Sequence, residues 1–221
     1  LRNVSDVNQG RPRGRPALPI DRIVAAAVEL VDEHGADGLS MRSLAQRLGS
    51  GTATLYRHFA NRSELVAVIV DRMLGEAELD TEALTALPWD RACISFAQSM
   101  FDALSRHGNV ASLLIGHVPM GPNALAHREL ILSILLDNGF APVVAAHAYA
   151  TVSRYVLGFA IQRPRSAAAD DDPELAAAFH ELDPSRYPAT AAVADDLPVP
   201  LEEEFAYGLR LIVAGLERLG R

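Results

Sequence analysis

The run Thr52-Ala53-Thr54-Leu55-Tyr56-Arg57-His58-Phe59 sets two hydroxyls, a phenol, a guanidinium and an imidazole around two large apolar side chains. At the start of an exposed helix, Thr52, Ala53 and Thr54 could meet base edges, since threonine and alanine methyls fit a thymine methyl. Arg57 could take guanine in bidentate fashion or simply hold a phosphate, and spacing leaves both open.

Groups suited to bond chemistry are not arranged for it. His34, His58, His107, His117, His127, His147 and His180 are scattered, without ligand spacing to cysteines or carboxylates. There is no nucleophile elbow, phosphate-binding loop or dinucleotide fingerprint. Asp170-Asp171-Asp172 lies in a Pro/Ala-rich stretch and reads as a solvated loop. The single cysteine, Cys93, excludes an internal disulfide and reads as a small buried hydrophobe in a reducing cytoplasm. No catalytic residue, metal site or cofactor is implied, and no membrane span.

Three local signals position the polar run. Ser40 is an N-cap for a short helix carrying Leu44, Ala45 and Leu48. Gly49 and Gly51 bracket Ser50 where the chain must turn. Asn61, with Glu64 three residues later, forms a capping box opening a longer helix. Short helix, glycine turn, short helix and long helix make up a helix-turn-helix, whose second short helix, about Thr52 to Phe59, would enter a DNA major groove. An amphipathic helix over Ile20–His34 precedes it, and Leu39, Leu44, Leu48, Leu55 and Phe59 are the expected core of this small unit.

From Ile20 to Leu65 the chain resembles the DNA-binding domain of the TetR family of bacterial repressors. Leu55-Tyr56-x-His58-Phe59 and Asn61-Arg62-x-Glu64-Leu65 carry the likeness. The resemblance implies phosphate contacts from Tyr56 and His58, and DNA contacts from Arg42 and Arg62. It also implies a homodimer built from the helices at 142–162 and 201–219, on a pseudo-palindromic double-stranded operator released by a small-molecule effector. Ala145, Ala148, Ser153 and Gly158 would allow close helix approach, beside Tyr155 and Phe159.

Charge agrees with one basic end on an acidic body. Residues 1–62 sum to +3 and the remainder to −11, in a chain of 221 residues and net charge −8. Residues 1–17 have no hydrophobic period and read as a flexible arm. Within it Pro12-Arg13-Gly14-Arg15-Pro16 resembles an AT-hook core, so Arg13 and Arg15 either follow an A·T minor groove or merely add positive charge.

The fold expected is all-α: arm 1–17, helix-turn-helix domain 18–65, and a helical effector-binding and dimerisation domain 66–221. Helix four is expected over Arg62–Leu79 with two apolar faces, joining reader to body. Further helices are expected over Trp89–His107, Val110–Val118, Pro122–Asn138, Pro142–Gln162 and Leu201–Leu219. A short one is expected near Glu174–Leu182, in an insert suited to a linker or cover. Phe96, Met100, Ile115, His117, Ile131, Leu135 and Gln162 are the candidate lining of an effector pocket, although any one of them could equally be core.

The body resembles the tetracycline repressor branch through Trp89, Asn138-Gly139-Phe140, Leu157-Gly158 and the final FAYGLRLIVAGLERL. Register from Asn138-Gly139-Phe140 places Ile115 where that branch has its metal-ligating histidine, and Gln162 where it has an acidic residue. His117 is the nearby substitute. A different, more apolar effector is expected. The alternative is a DNA-binding regulator or activator whose body recruits protein partners without a small effector.

Overall fold

The computed structural model describes residues 18–115, 117–162 and 173–219. Arg13, Arg15 and the Asp170–Asp172 run lie outside them.

Short-range chemistry builds the first unit. Helix α1 (Ile20–His34) buries Ile23, Val24, Ala27, Leu30 and Val31 along one stripe. Ser40 caps α2 (Met41–Arg47), its hydroxyl accepting from Ser43 N–H while the Ser43 hydroxyl accepts from Ser40 N–H. Gly49 sits at φ 58°, a conformation that would strain any other residue, and turns the chain into α3 (Thr52–Leu55). The recognition helix is tighter than expected. Regular α-helix ends at Leu55, and turns carry the chain to His58, closed by Phe59 N–H to the Leu55 carbonyl at 3.0 Å. Leu55 and Phe59 are both sealed inside, which draws this last turn onto the core. Leu39 and Leu44 join them, whereas Leu48 is half-buried.

Helix α4 (Arg62–Leu74) starts at the Asn61 cap, and the Glu64 carboxylate reaches the amide of Ala60. It buries Leu65, Val66, Ile69, Val70, Met73 and Leu74, and so faces α1 on one side and the body on the other. It stops at Gly75, well short of Leu79. A separate helix, α5 (Thr81–Ala86), follows because Asp80 caps it, accepting from Ala83 N–H at 3.0 Å.

The body holds α6 (Trp89–Arg106), α7 (Gly108–Ala111), α8 (Pro122–Asp137), α9 (Pro142–Ala160), α10 (Pro173–His180), α11 (Pro188–Ala191) and α12 (Leu201–Leu219). The helix expected over Val110–Val118 is instead α7, a 3-10 turn at Ser112–Leu114, and an extended exit. Val118 precedes proline, which disfavours helix there. Prolines open α8 and α9 at the first position, where a missing N–H costs nothing.

Helix α9 is the hub, packed on α6, α8 and α12. Phe101 stacks on Phe205 at 4.3 Å, and the Tyr155 hydroxyl donates to the Phe205 carbonyl at 2.8 Å. Ala145 and Ala148, expected to ease the approach of a second chain, are buried within this chain's own core. Tyr155 is likewise turned inward, onto Phe205 and Phe159. One continuous apolar cluster runs from Ile23 to Leu216. Among the described residues no helix is long and apolar enough to cross a membrane.

Candidate functional site

With Leu55 and Phe59 turned inward, the rest of the α3 run faces out. Thr52, Ala53 and Arg57 are exposed, Tyr56 is 54% exposed, and Thr54 and His58 are half-buried, with His58 tilted over Phe59. Hydroxyl, phenol, guanidinium and imidazole thus share one solvent face, backed by a rigid apolar layer. Arg42 on α2 is exposed beside it and has no ion pair among the described residues. This constellation can offer donors and methyls to base edges and phosphates.

Two arginines of the basic end are committed elsewhere. Arg62 donates through Nε to the Leu39 carbonyl at 2.7 Å and through Nη2 to Ala36 at 2.9 Å. It therefore pins the loop before α2 to the start of α4, and the expected DNA contact is left to the N–H groups these two bonds do not use. Arg47 grips Glu33 at 2.7 Å and approaches Glu29 at 3.4 Å, tying α2 to α1. The hydrogen bond from Arg47 holds the Glu33 carboxyl below its ordinary range.

In the body, only part of the expected effector lining comes together. Phe96, Ile131 and Leu135 surround a cavity of about 10 Å³ with Cys93, Ala148, Tyr149, Val152, Ser153 and Leu216. That volume suits about one water, so the space is nearly closed. Met100 is buried a turn beyond Phe96 without joining the wall. Ile115 is 61% exposed, and His117 faces a different space altogether. Gln162 is exposed and folds back to donate to the Gly158 carbonyl at 2.9 Å. Register from one landmark could not foresee that the Val110–Val118 helix would break and carry Ile115 and His117 outward. Cys93, Tyr149, Ser153 and Leu216 were missed because the wall is assembled from four helices. Burial, with Asp90 adding to it, pushes the Cys93 thiol up to about 12, so it stays a neutral wall group.

Between reader and body lies a seam with an open groove of about 920 Å³, formed by α1, α4 and the 117–123 segment. Asp71 of α4 is the one buried charged or polar residue among those described. Its carboxylate accepts from Ala124 N–H and from Asn123 Nδ2, both at 3.0 Å. The residue that should cap α8 is Gly121, which has no side chain to do so. A Cβ there would come within 2.3 Å of the Asp71 carboxylate. Helix α4 therefore supplies the cap for α8 across the seam. On the other side, His107 stands between Asp32 of α1 at 3.2 Å and Glu76 at 3.3 Å, and Asn109 donates to the Asp32 carbonyl at 2.8 Å. Nothing in the spacing of Asp71 or His107 marked them, since each partner lies far along the chain.

Known proteins share this arrangement. Residues 23–69 match the family described as bacterial regulatory proteins, tetR family, and residues 85–219 match the tetracyclin repressor-like C-terminal domain. The HTH-type transcriptional repressor DrrR1 of Streptomyces coeruleorubidus is 30% identical over 97% of this chain and 83% of its own length. The TetR family protein ActR of Streptomyces coelicolor, solved with (S)-DNPA, is 29% identical with a TM-score of 0.79, covering 93% of this chain and 100% of that one. Solved with actinorhodin, ActR gives 29% identity and a TM-score of 0.76 over 92% of this chain and 97% of the other. An outward-facing α3 over a sealed apolar layer, joined through α4 to a helical body, thus has close counterparts over nearly the whole chain: the protein belongs to the TetR family of bacterial transcriptional regulators, with a body of the tetracycline repressor type.

Proposed function

We propose that this chain is a ligand-responsive repressor that binds a pseudo-palindromic operator as a homodimer, with residues 18–65 as reader and 66–221 as body. The observation that carries this is the α3 face, on which Thr52, Ala53, Tyr56 and Arg57 are exposed above buried Leu55 and Phe59. Two such faces about a two-fold axis would meet half-sites about 34 Å apart. Apolar side chains left exposed on α9 and α12 support a second copy there. Val143 of α9 is 61% exposed, and Tyr207 and Leu211 of α12 are 59% and 57% exposed. A protein that works on chromosomal DNA works in the bacterial cytoplasm.

Effector release would run through the seam. Ligand entering between α6, α8 and α9 must widen a nearly closed cavity, and α8 is capped by Asp71 of α4. A shift of α8 would then move α4 and change the separation of the two readers, a coupling typically worth ~1–3 kcal/mol. The relative ActR, solved with actinorhodin, supports a small-molecule effector, and a cavity wall without charged residues suits a largely apolar one.

Selection of bound duplexes from random DNA, repeated across salt, tests the reading. It should return a palindromic consensus with affinity falling steeply as salt rises. Recovery of no symmetric site would overturn it. One observation favours a second reading, a regulator whose body recruits protein partners: the body cavity is only about 10 Å³. Operator complexes that no small molecule dissociates would favour that alternative.

A further inference from the structure

Helix α8 contributes Ile131 and Leu135 to the wall of the body cavity, one turn apart. One turn earlier on the same face stands His127. Its ring lies edge-on to Phe96, with centroids 6.4 Å apart and planes at 84°, and Phe96 is itself a wall residue. The Nδ1 atom is buried and has no hydrogen-bond partner among the described residues. Native proteins leave few such atoms, and an unpaired one at the edge of a cavity is a place for a ligand group.

Its surroundings specify the ligand's chemistry. Burial lowers the pKa of the imidazole, with the Asp71 carboxylate opposing, so near neutral pH the ring carries no charge. None of the wall residues is charged, and the Cys93 thiol is protonated. The flanking charges are engaged elsewhere: Arg128, over the Tyr149 ring at 5.5 Å, donates to the Pro119 carbonyl, and Asp71 holds the first turn of α8. The wall itself thus offers no counter-charge to a desolvated carboxylate or ammonium. A hydroxyl meets Nδ1 in either tautomer, donating to the bare nitrogen or accepting from N–H. Phe96 and Tyr149 on facing helices suit a flat ring between them.

We infer that His127 is the hydrogen-bond anchor of the effector cavity, and that the effector is a neutral, hydroxyl-bearing aromatic molecule. This rests on the ligand-responsive reading above and adds the class of ligand and the residue that selects it. The anchor also sits where occupancy can be sensed. His127 is one turn beyond Ala124, the residue whose N–H is held by Asp71, so a ligand bonded to Nδ1 bears on the first turn of α8, where α4 is fastened.

The test is calorimetric titration of the full-length protein with 2-naphthol, 2-methylnaphthalene and 2-naphthoate, which differ in one substituent. The hydroxyl probe should bind at least tenfold tighter than the other two. His127→Leu should erase its advantage over the methyl probe. His127→Asn, whose amide reaches the place of Nδ1, should keep most of it. Equal affinity of the hydroxyl and methyl probes in the native protein, no binding of either, or a preference that survives His127→Leu would each overturn the inference. Should His127→Leu fail to fold, the native panel and His127→Asn still decide. Operator release is followed in the same samples by fluorescence anisotropy. Probe bound through His127 without release would remove the ligand-response reading and leave the anchor standing.

Discussion

Reader and body hold their working groups in opposite ways. The reader turns its polar run outward and is fastened by ionic and backbone clamps: Arg47 to Glu33, Arg62 to Leu39 and Ala36, and the Ser40–Ser43 box. The body turns its wall inward and is fastened by aromatic packing, Phe101 on Phe205 and Tyr155 beside it. A face that must meet DNA needs rigidity with its surface free, and clamps at the rim give that. A cavity that is to open to a ligand, as proposed for this body, needs walls able to shift, and apolar contacts, which have no fixed direction, permit it. Asp71 is where the two styles meet, a buried carboxylate that fastens α8 to α4, with the His107 contacts to Asp32 and Glu76 on the other side of the seam.

The sharpest break of this contrast lies in the body. Phe205→Ala should destabilise the protein by about 3–5 kcal/mol, as large-to-small changes in sealed cores do, seen as a lowered urea midpoint. A loss below about 1 kcal/mol would mean the stack is not what holds α12.

Next comes the seam. Asp71→Ala leaves Ala124 N–H and the Asn123 amide without their carboxylate, and should cost about 2–3 kcal/mol. It should also weaken effector-driven operator release more than operator affinity. Release measured by anisotropy at native strength would show that α4 is signalled by another route.

Within the reader, two arginines should part company. Arg62→Ala should cost about 1 kcal/mol of stability by loosening the loop before α2. Arg42→Ala should leave stability unchanged and reduce the slope of log affinity against log salt by about one. Identical salt slopes for native protein and Arg42→Ala would remove Arg42 from the DNA face.

The smallest effects are in pH. The His127 pKa is lowered from the ordinary 6.5 in the folded chain. Above that value both folded and unfolded chains are neutral there. Below it the unfolded chain takes the proton first, so stability falls as pH drops through 6.5 toward the lowered value. His127→Asn should flatten that slope in melts across pH. The Glu33 carboxyl is lowered by Arg47 from 4.5, so its contribution is present above 4.5 and lost as pH falls through the depressed value. Arg47→Met should remove that second, more acidic step.

How much was legible follows the range of each interaction. Ser40, Gly49, Asn61, Pro122 and Pro142 act within a few residues, so the helix starts they mark are where spacing places them. Helix ends were less legible. Helix four ends at Leu74 with Gly75 as its C-cap, short of the expected Leu79, because the weak apolar period beyond Leu74 does not carry the helix past the glycine. The effector wall was the least legible. Phe96, Ile131 and Leu135 follow from helical spacing, but Ile115, His117 and Gln162 rested on register through a region that changes conformation.

By itself the amino-acid order determined an all-helical chain with a reader at one end, since caps, turns and the period of a helix are written in neighbours. It also determined the family, through runs such as Leu55–Phe59 and Asn61–Leu65. Only the folded arrangement decided that Arg47 and Arg62 are struts, that Asp71 caps a helix from another part of the chain, and that His127 buries a ring nitrogen without a hydrogen-bond partner among the described residues. Those facts depend on which surfaces meet across 14 to 53 residues of separation, and no local pattern encodes such a meeting.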